Sequence, residues 1–210
     1  MSVALANGKL YLGPDSNGLR MAPDQFDAVR DYDENFLYEL VDGVVVVNPI
    51  PLAEETSPNE LLGHFLWQYQ QYDDRGSALD ETLPQQYVRT SRARRLADRL
   101  IWTGLGRIPD VRKDRASIAV EFVSAGRRNQ QRDYVDKRRD YEKAGIQEYW
   151  IIDRFRRILT VIRYRRSGSK RLVFGENQTY ESPLLPGFVL PLARLLQAAD
   201  QHARAAKKQK

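Results

Sequence analysis

The 210-residue chain contains no cysteine and only two histidines, His64 and His202. The first absence excludes disulfides and thiolate metal sites. The second excludes a multi-histidine zinc centre. No apolar run approaches the roughly 18 residues that would span a bilayer. Residues 1–12 lack the basic start and long apolar core of a secretory signal, so the expected location is a reducing cytoplasm. Neither sign of charge dominates. Lys and Arg number 33 against 28 acids, giving a net charge of +5 and a pI of about 9.4. That excess suits a polyanionic partner without requiring one. Hydrophobic residues make up 42%, enough for a core, and the length fits one domain.

Periodicity predicts an α/β order. Residues 1–20 are rich in Gly, Asn and Asp and read as an arm, residues 21–200 as one domain, and residues 201–210 as a basic tail, disordered over 207–210. A short helix is expected over 23–30. Asp42-Gly43 between apolar runs marks a hairpin over 36–47, and the run Val44 to Val47 suits a strand buried on both faces. Residues 48–58 read as a loop, with a helix following to about 72. Strands are expected over 86–90, 98–103, 117–124, 147–153 and 158–164, with a peripheral hairpin over 171–180. A helix is expected over 130–144, stopped by Gly145, and another over 192–206. The fold expected is a mixed central β-sheet flanked by helices.

Glu121 breaks this pattern. It sits in Ser117-Ile118-Ala119-Val120-Glu121-Phe122-Val123-Ser124, otherwise a buried strand. A buried carboxylate needs a counter-charge, a hydrogen-bond network or a metal. Glu39, in Tyr38-Glu39-Leu40-Val41, and Asp98, heading Arg99-Leu100-Ile101-Trp102, are also acids placed by apolar strands. Phosphodiester hydrolysis needs an activated water and a neutralised phosphate. Mg²⁺ held by two or three carboxylates supplies both. Each acid could instead be a salt-bridged surface or edge residue. The cation candidate is Lys137, which shares a helix face with Tyr134 and Tyr141 and is expected to be half-buried. It could equally lay its stem on the core with its amine in water.

These residues carry a resemblance. Tyr38-Glu39-Leu40-Val41-Asp42-Gly43, Ala97-Asp98, Val120-Glu121-Phe122-Val123-Ser124, the stretch Arg132 to Tyr141, the stretch Ala144 to Asp153, and Pro186-Gly187-Phe188 resemble the Uma2 family of the PD-(D/E)XK nuclease superfamily. The resemblance spans roughly residues 20–195 and is densest over 120–153. It implies a restriction-endonuclease-like fold, Mg²⁺-dependent phosphodiester cleavage (Mn²⁺ being an alternative ion) and a homodimer. On this pattern Asp98 and Glu121 would bind the metal, Glu39 would assist, and Lys137 would orient the water. Two departures stand out. Ala97 replaces the proline before the aspartate, while the literal Pro-Asp pair is Pro109-Asp110, which leaves Asp110 as a second candidate. Val123 occupies the usual lysine position, which points to Lys137 as a lysine relocated to the following helix.

Nucleic acid, DNA in the first instance, is the expected partner. Arg127, Arg128 and Arg132 could track its phosphates, although a basic run is also a common solvated face. A catalytically inactive nucleic-acid-binding protein of the same fold, and a partner-binding domain whose acids form ion pairs, are the competing readings. His64 is expected to be a partly buried imidazole, and Trp67, Trp102 and Trp150 to be core residues.

Overall fold

The computed structural model describes residues 5–6, 9–126 and 131–208. The chain divides into two compact units. The first comprises residues 1–51 and 87–96, the second residues 52–86 and 97–210.

The first unit is built on short strands. Strands β1 (Leu5–Ala6), β2 (Lys9–Leu12) and β3 (Asp31–Tyr32) form one small sheet, with helix α1 (Pro23–Ala28) before β3. Strands β4 (Phe36–Val41) and β5 (Val44–Pro49) form the expected hairpin. Asp42 and Gly43 both take positive φ, 49° and 79°, as a two-residue turn matched to strand twist demands. Leu12, Leu19, Met21, Phe26, Tyr38, Leu40 and Val45 form the core. The segment expected as an arm therefore supplies Leu12 and Leu19 to that core. Of the four valines only Val45 is buried, because β5 packs one face of a hairpin rather than the middle of a sheet.

The second unit holds a mixed sheet. Its strands are the 97–103 part of β7 (Arg94–Thr103), then β8 (Ile118–Phe122), β9 (Glu148–Asp153), β10 (Ile158–Arg165) and β11 (Gly168–Gly175). The β8–β9 pair is parallel and the others are antiparallel. Side chains alternate across it. Ile118, Val120 and Phe122 join Trp150, Ile152, Leu159 and Val161 on one face. There they meet Leu62, Leu66 and Tyr69 of α2 (Ala53–Tyr72) and Leu192, Leu195 and Leu196 near the C-terminus. The opposite face carries Ala119 and Glu121, and helix α3 (Lys137–Ala144) with the π-helical turn Arg132–Asp136 before it.

Several boundaries differ from expectation. Helix α2 starts at Ala53, ahead of Pro58, because Glu54 and Glu55 complement its N-terminus and Glu55 Oε2 accepts the Leu52 amide at 3.1 Å. Strand β6 (Leu79–Arg89) runs well ahead of residue 86, despite Asp80, Glu81 and Pro84, which hide it from propensity. Strand β11 pairs with β10 rather than with residues 178–180. Helix α4 (Leu192–Lys208) continues through Lys207 and Lys208, whose charges suit a helix C-terminus. Trp67 is 49% exposed and His64 is exposed, whereas Trp102 and Trp150 are buried. Among the described residues no helix is long and apolar enough to cross a membrane.

Candidate active site

Asp98 and Glu121 meet because of strand register. Strand β7 pairs with β8 through Ile101↔Ile118, Leu100↔Ala119 and Arg99↔Val120. The next residues along, Asp98 and Glu121, therefore face the same side of the sheet. The ladder ends there in a side-chain bond: the Phe122 amide donates to Asp98 Oδ2 at 2.7 Å. Arg99 takes the other face. Its guanidinium is held by Asn59 Oδ1 at 2.8 Å and by the Asn59 carbonyl at 3.0 Å. Gly63 of α2 makes room for it, since a Cβ there would lie 2.6 Å from an Arg99 nitrogen. The Asn59 amide also donates to the Asp98 carbonyl at 2.8 Å, fixing the backbone that carries the acid.

Helix α3 supplies the cation. Lys137 Nζ donates to Glu121 Oε2 at 2.7 Å, and the Tyr141 hydroxyl donates to Glu121 Oε1. Lys137 is 3% exposed, fully rather than half buried. The difference comes from the π turn. The Lys137 amide bonds back to the Arg132 carbonyl, and the extra residue in that turn shifts the inward face. Asp133, Lys137, Asp140 and Tyr141 face inward, while Tyr134 is half-buried with its hydroxyl on Asp153 Oδ2 at 2.9 Å. Gly145, at φ 80°, caps the helix as its sequence position predicts.

The acids are electrostatically loaded. Burial pushes the Glu121 carboxyl up to about 8; Lys137 opposes the shift, while Asp98 and Asp133 add to it. Burial pushes Asp98 up to about 6, against the pull of Lys137 and the Phe122 amide and with a further push from Asp133. Asp98 keeps part of its surface exposed. Asp133, 1% exposed, was not singled out by sequence reasoning. Its spacing four residues before Lys137 puts both on one helix face and was the signal; the π turn that carries Tyr134 off that face is not legible in sequence.

The other candidates lie as follows. Glu39 is in the first unit, 2% exposed. Its Oε1 accepts the Leu96 amide at 2.9 Å and its Oε2 lies 3.8 Å from an Arg95 nitrogen, both within that unit. Asp110 sits in an exposed turn, with its carboxylate on the Arg112 amide and Lys113; it is not part of the Glu121 cluster. Arg132 is partly exposed, with its Nε 3.2 Å from Asp133 Oδ1. Arg127 and Arg128 lie outside the described residues.

Among the described residues no three His, Cys, Asp or Glu side chains group to hold an ion. Mg²⁺ does not need three. It binds through one or two carboxylates and keeps several waters. Asp98 and Glu121 provide two hard oxygen donors on one face. Each Glu121 oxygen has a second lone pair beyond its present hydrogen bond.

No curated protein matches the chain. The fold is similar to the crystal structure of a "putative nuclease belonging to DUF820" from Anabaena variabilis, with a TM-score of 0.66 at 13% identity, covering 85% of this chain and 99% of that one. Residues 23–193 match the Uma2 family, "Putative restriction endonuclease". That match runs through both strand acids and the helical lysine, and this chain belongs to the Uma2 family.

Proposed function

We propose that the chain is a metal-dependent endonuclease that hydrolyses nucleic-acid phosphodiester bonds, with DNA as substrate. The observation that carries this reading is the facing of Asp98 and Glu121 on neighbouring strands with the Lys137 ammonium on Glu121. Asp98 and Glu121 would hold Mg²⁺ or Mn²⁺, which when bound supplies charge neutralisation at the phosphate and a more acidic water. Lys137 orients Glu121 now and, with it, can hold the attacking water in line. Tyr141 fixes the other Glu121 oxygen, so the carboxylate cannot rotate away. Arg132, partly exposed in the turn before that helix and paired with Asp133, would meet a phosphate. The proposed protein is a homodimer of the cytoplasm.

The family match to restriction endonucleases supports the reaction class. Burial is the main cause of both raised carboxyl values, and a dication beside the two acids would offset that cost. A second reading, nucleic-acid binding without cleavage, draws on Val123 at the usual lysine position. The test is incubation of plasmid, linear and single-stranded DNA, and RNA, with Mg²⁺ or Mn²⁺, against Glu121→Gln. Metal-dependent products from the native chain alone support the nuclease. Binding with no product under either ion supports the second reading.

A further inference from the structure

A cavity of about 410 Å³ opens beside the acid cluster, lined by Tyr134, Arg138, Ile151, Arg156, Thr160 and Arg171 among others. It shares the sheet face of Glu121. Glu121 pairs with Ile151, and Ile151 pairs with Thr160. Partners in register point to the same side, so Thr160 lies two strand spacings, about 10 Å, from Glu121. Successive helix residues serve the two places: Lys137 reaches Glu121, and Arg138 lines the cavity.

The lining has an uncompensated positive charge. Arg171 is exposed and its side chain has no hydrogen bond or ion pair among the described residues. Arg156 stands over the Tyr134 ring, 5.2 Å from its centroid, with only a 3.8 Å approach to Asp153. Arg138 donates to Ser169 Oγ, a neutral partner, at 2.7 Å. Asp153, the nearby acid, already accepts from the Tyr134 hydroxyl and the Phe155 and Arg156 amides. At the floor, Thr160 Oγ1 is buried and has no hydrogen-bond partner among the described residues. The Tyr134 hydroxyl beside it gives its proton to Asp153. An unmatched buried hydroxyl costs free energy unless something accepts or donates there.

We propose that this cavity binds one nucleotide through its phosphate. Guanidinium groups select the phosphate by forked hydrogen bonds, the Thr160 hydroxyl completes its shell, and Tyr134 with Ile151 and Ile162 gives the sugar and base an apolar wall. The volume falls in the range of small-ligand pockets and exceeds what a bare phosphate fills. The choice of a nucleotide over other phosphate esters rests on the nuclease reading; the anion site does not. A nucleotide within a strand whose neighbouring phosphodiester reaches Glu121 and a free nucleotide share this chemistry, and the arms of the binding test separate them.

The test is binding by the full chain in EDTA, where cleavage plays no part. Labelled single-stranded oligonucleotide is followed by anisotropy and deoxyadenosine 5′-monophosphate by calorimetry. The double variant Arg156→Gln/Arg171→Gln is expected to bind about tenfold or more weakly, with a salt slope lower by about one. Thr160→Val is expected to weaken binding without lowering the melting temperature. Loss confined to the oligonucleotide identifies a strand nucleotide, and loss of mononucleotide binding identifies a free one. Unchanged affinity in a double variant that melts like the native chain overturns the proposal, as does native protein that binds neither probe. Absence of cleavage with binding intact would count against the nuclease reading alone.

Discussion

The Lys137 ammonium lies 2.7 Å from Glu121 Oε2, the two side chains being 4% and 3% exposed. A buried pair of this kind is costly to break from one side, because the survivor stays buried without its partner. At about pH 9, where Glu121 is ionised, Lys137→Met should lower stability by about 3–5 kcal/mol, and adding Glu121→Gln should restore part of the loss. Denaturant unfolding of both single variants and the double variant measures this. Strictly additive losses would show that the pair is not coupled.

Glu121→Gln keeps the shape of the side chain and can still accept from Tyr141. It should therefore keep the fold, at a stability cost from the Lys137 ammonium left without its carboxylate, while reducing metal-dependent cleavage by about 100-fold or more. Initial rates beside a thermal melt separate the two effects. A native melting curve with native cleavage would remove Glu121 from the catalytic set.

Protonation gives a signed prediction for the metal-free protein. Asp98 is pushed up to about 6 and Glu121 to about 8, from ordinary values of 3.8 and 4.5. The folded state holds these protons longer than the unfolded chain does. Their contribution is full below the unfolded values and is lost as pH rises through about 6 and then about 8. The melting temperature should fall across that window, and Asp98→Asn and Glu121→Gln should each flatten the fall. Affinity for Mg²⁺ should rise over the same interval, because the ligands must lose their protons to bind it. Calorimetry at successive pH values reads both trends.

Gly63 faces the Arg99 guanidinium so closely that a Cβ would sit 2.6 to 2.9 Å from its atoms. Arg99 is 3% exposed and anchored by Asn59, so it has little room to yield. Gly63→Ala should destabilise by about 1–3 kcal/mol through overpacking. Because Asp98 and Arg99 are neighbours on one strand, the variant should also weaken cleavage. The urea midpoint and the cleavage rate report the two consequences.

Local signals in the sequence went far toward the fold. Asp42-Gly43 set a hairpin because the turn needs two residues with positive φ. Gly145 set a helix end for a similar reason. The apolar run around Glu121 marked a strand, and the charge inside it marked an anomaly. Asp98, rather than the more conspicuous Asp110, stood out because only Asp98 is followed by residues that can enter a core. What composition could not carry was α2 starting ahead of Pro58, β6 concealed by acids and proline, and Trp67 turned outward.

The sequence by itself determined which groups are available: carboxylates without thiols, two histidines, an acid inside an apolar strand, and a lysine on the helix behind it. Tertiary structure decided which of them meet. Antiparallel register brings Asp98 opposite Glu121, a choice made by pairing between residues more than twenty positions apart. Asp133, Lys137 and Tyr141 share one face at four-residue spacing, and a π turn, invisible to a 3.6-residue period, carries Tyr134 off that face. Side-chain alternation then places Thr160 and Arg171 on that same face. Register and helix phase are set by packing across the whole sheet, so they are fixed only when the chain has folded.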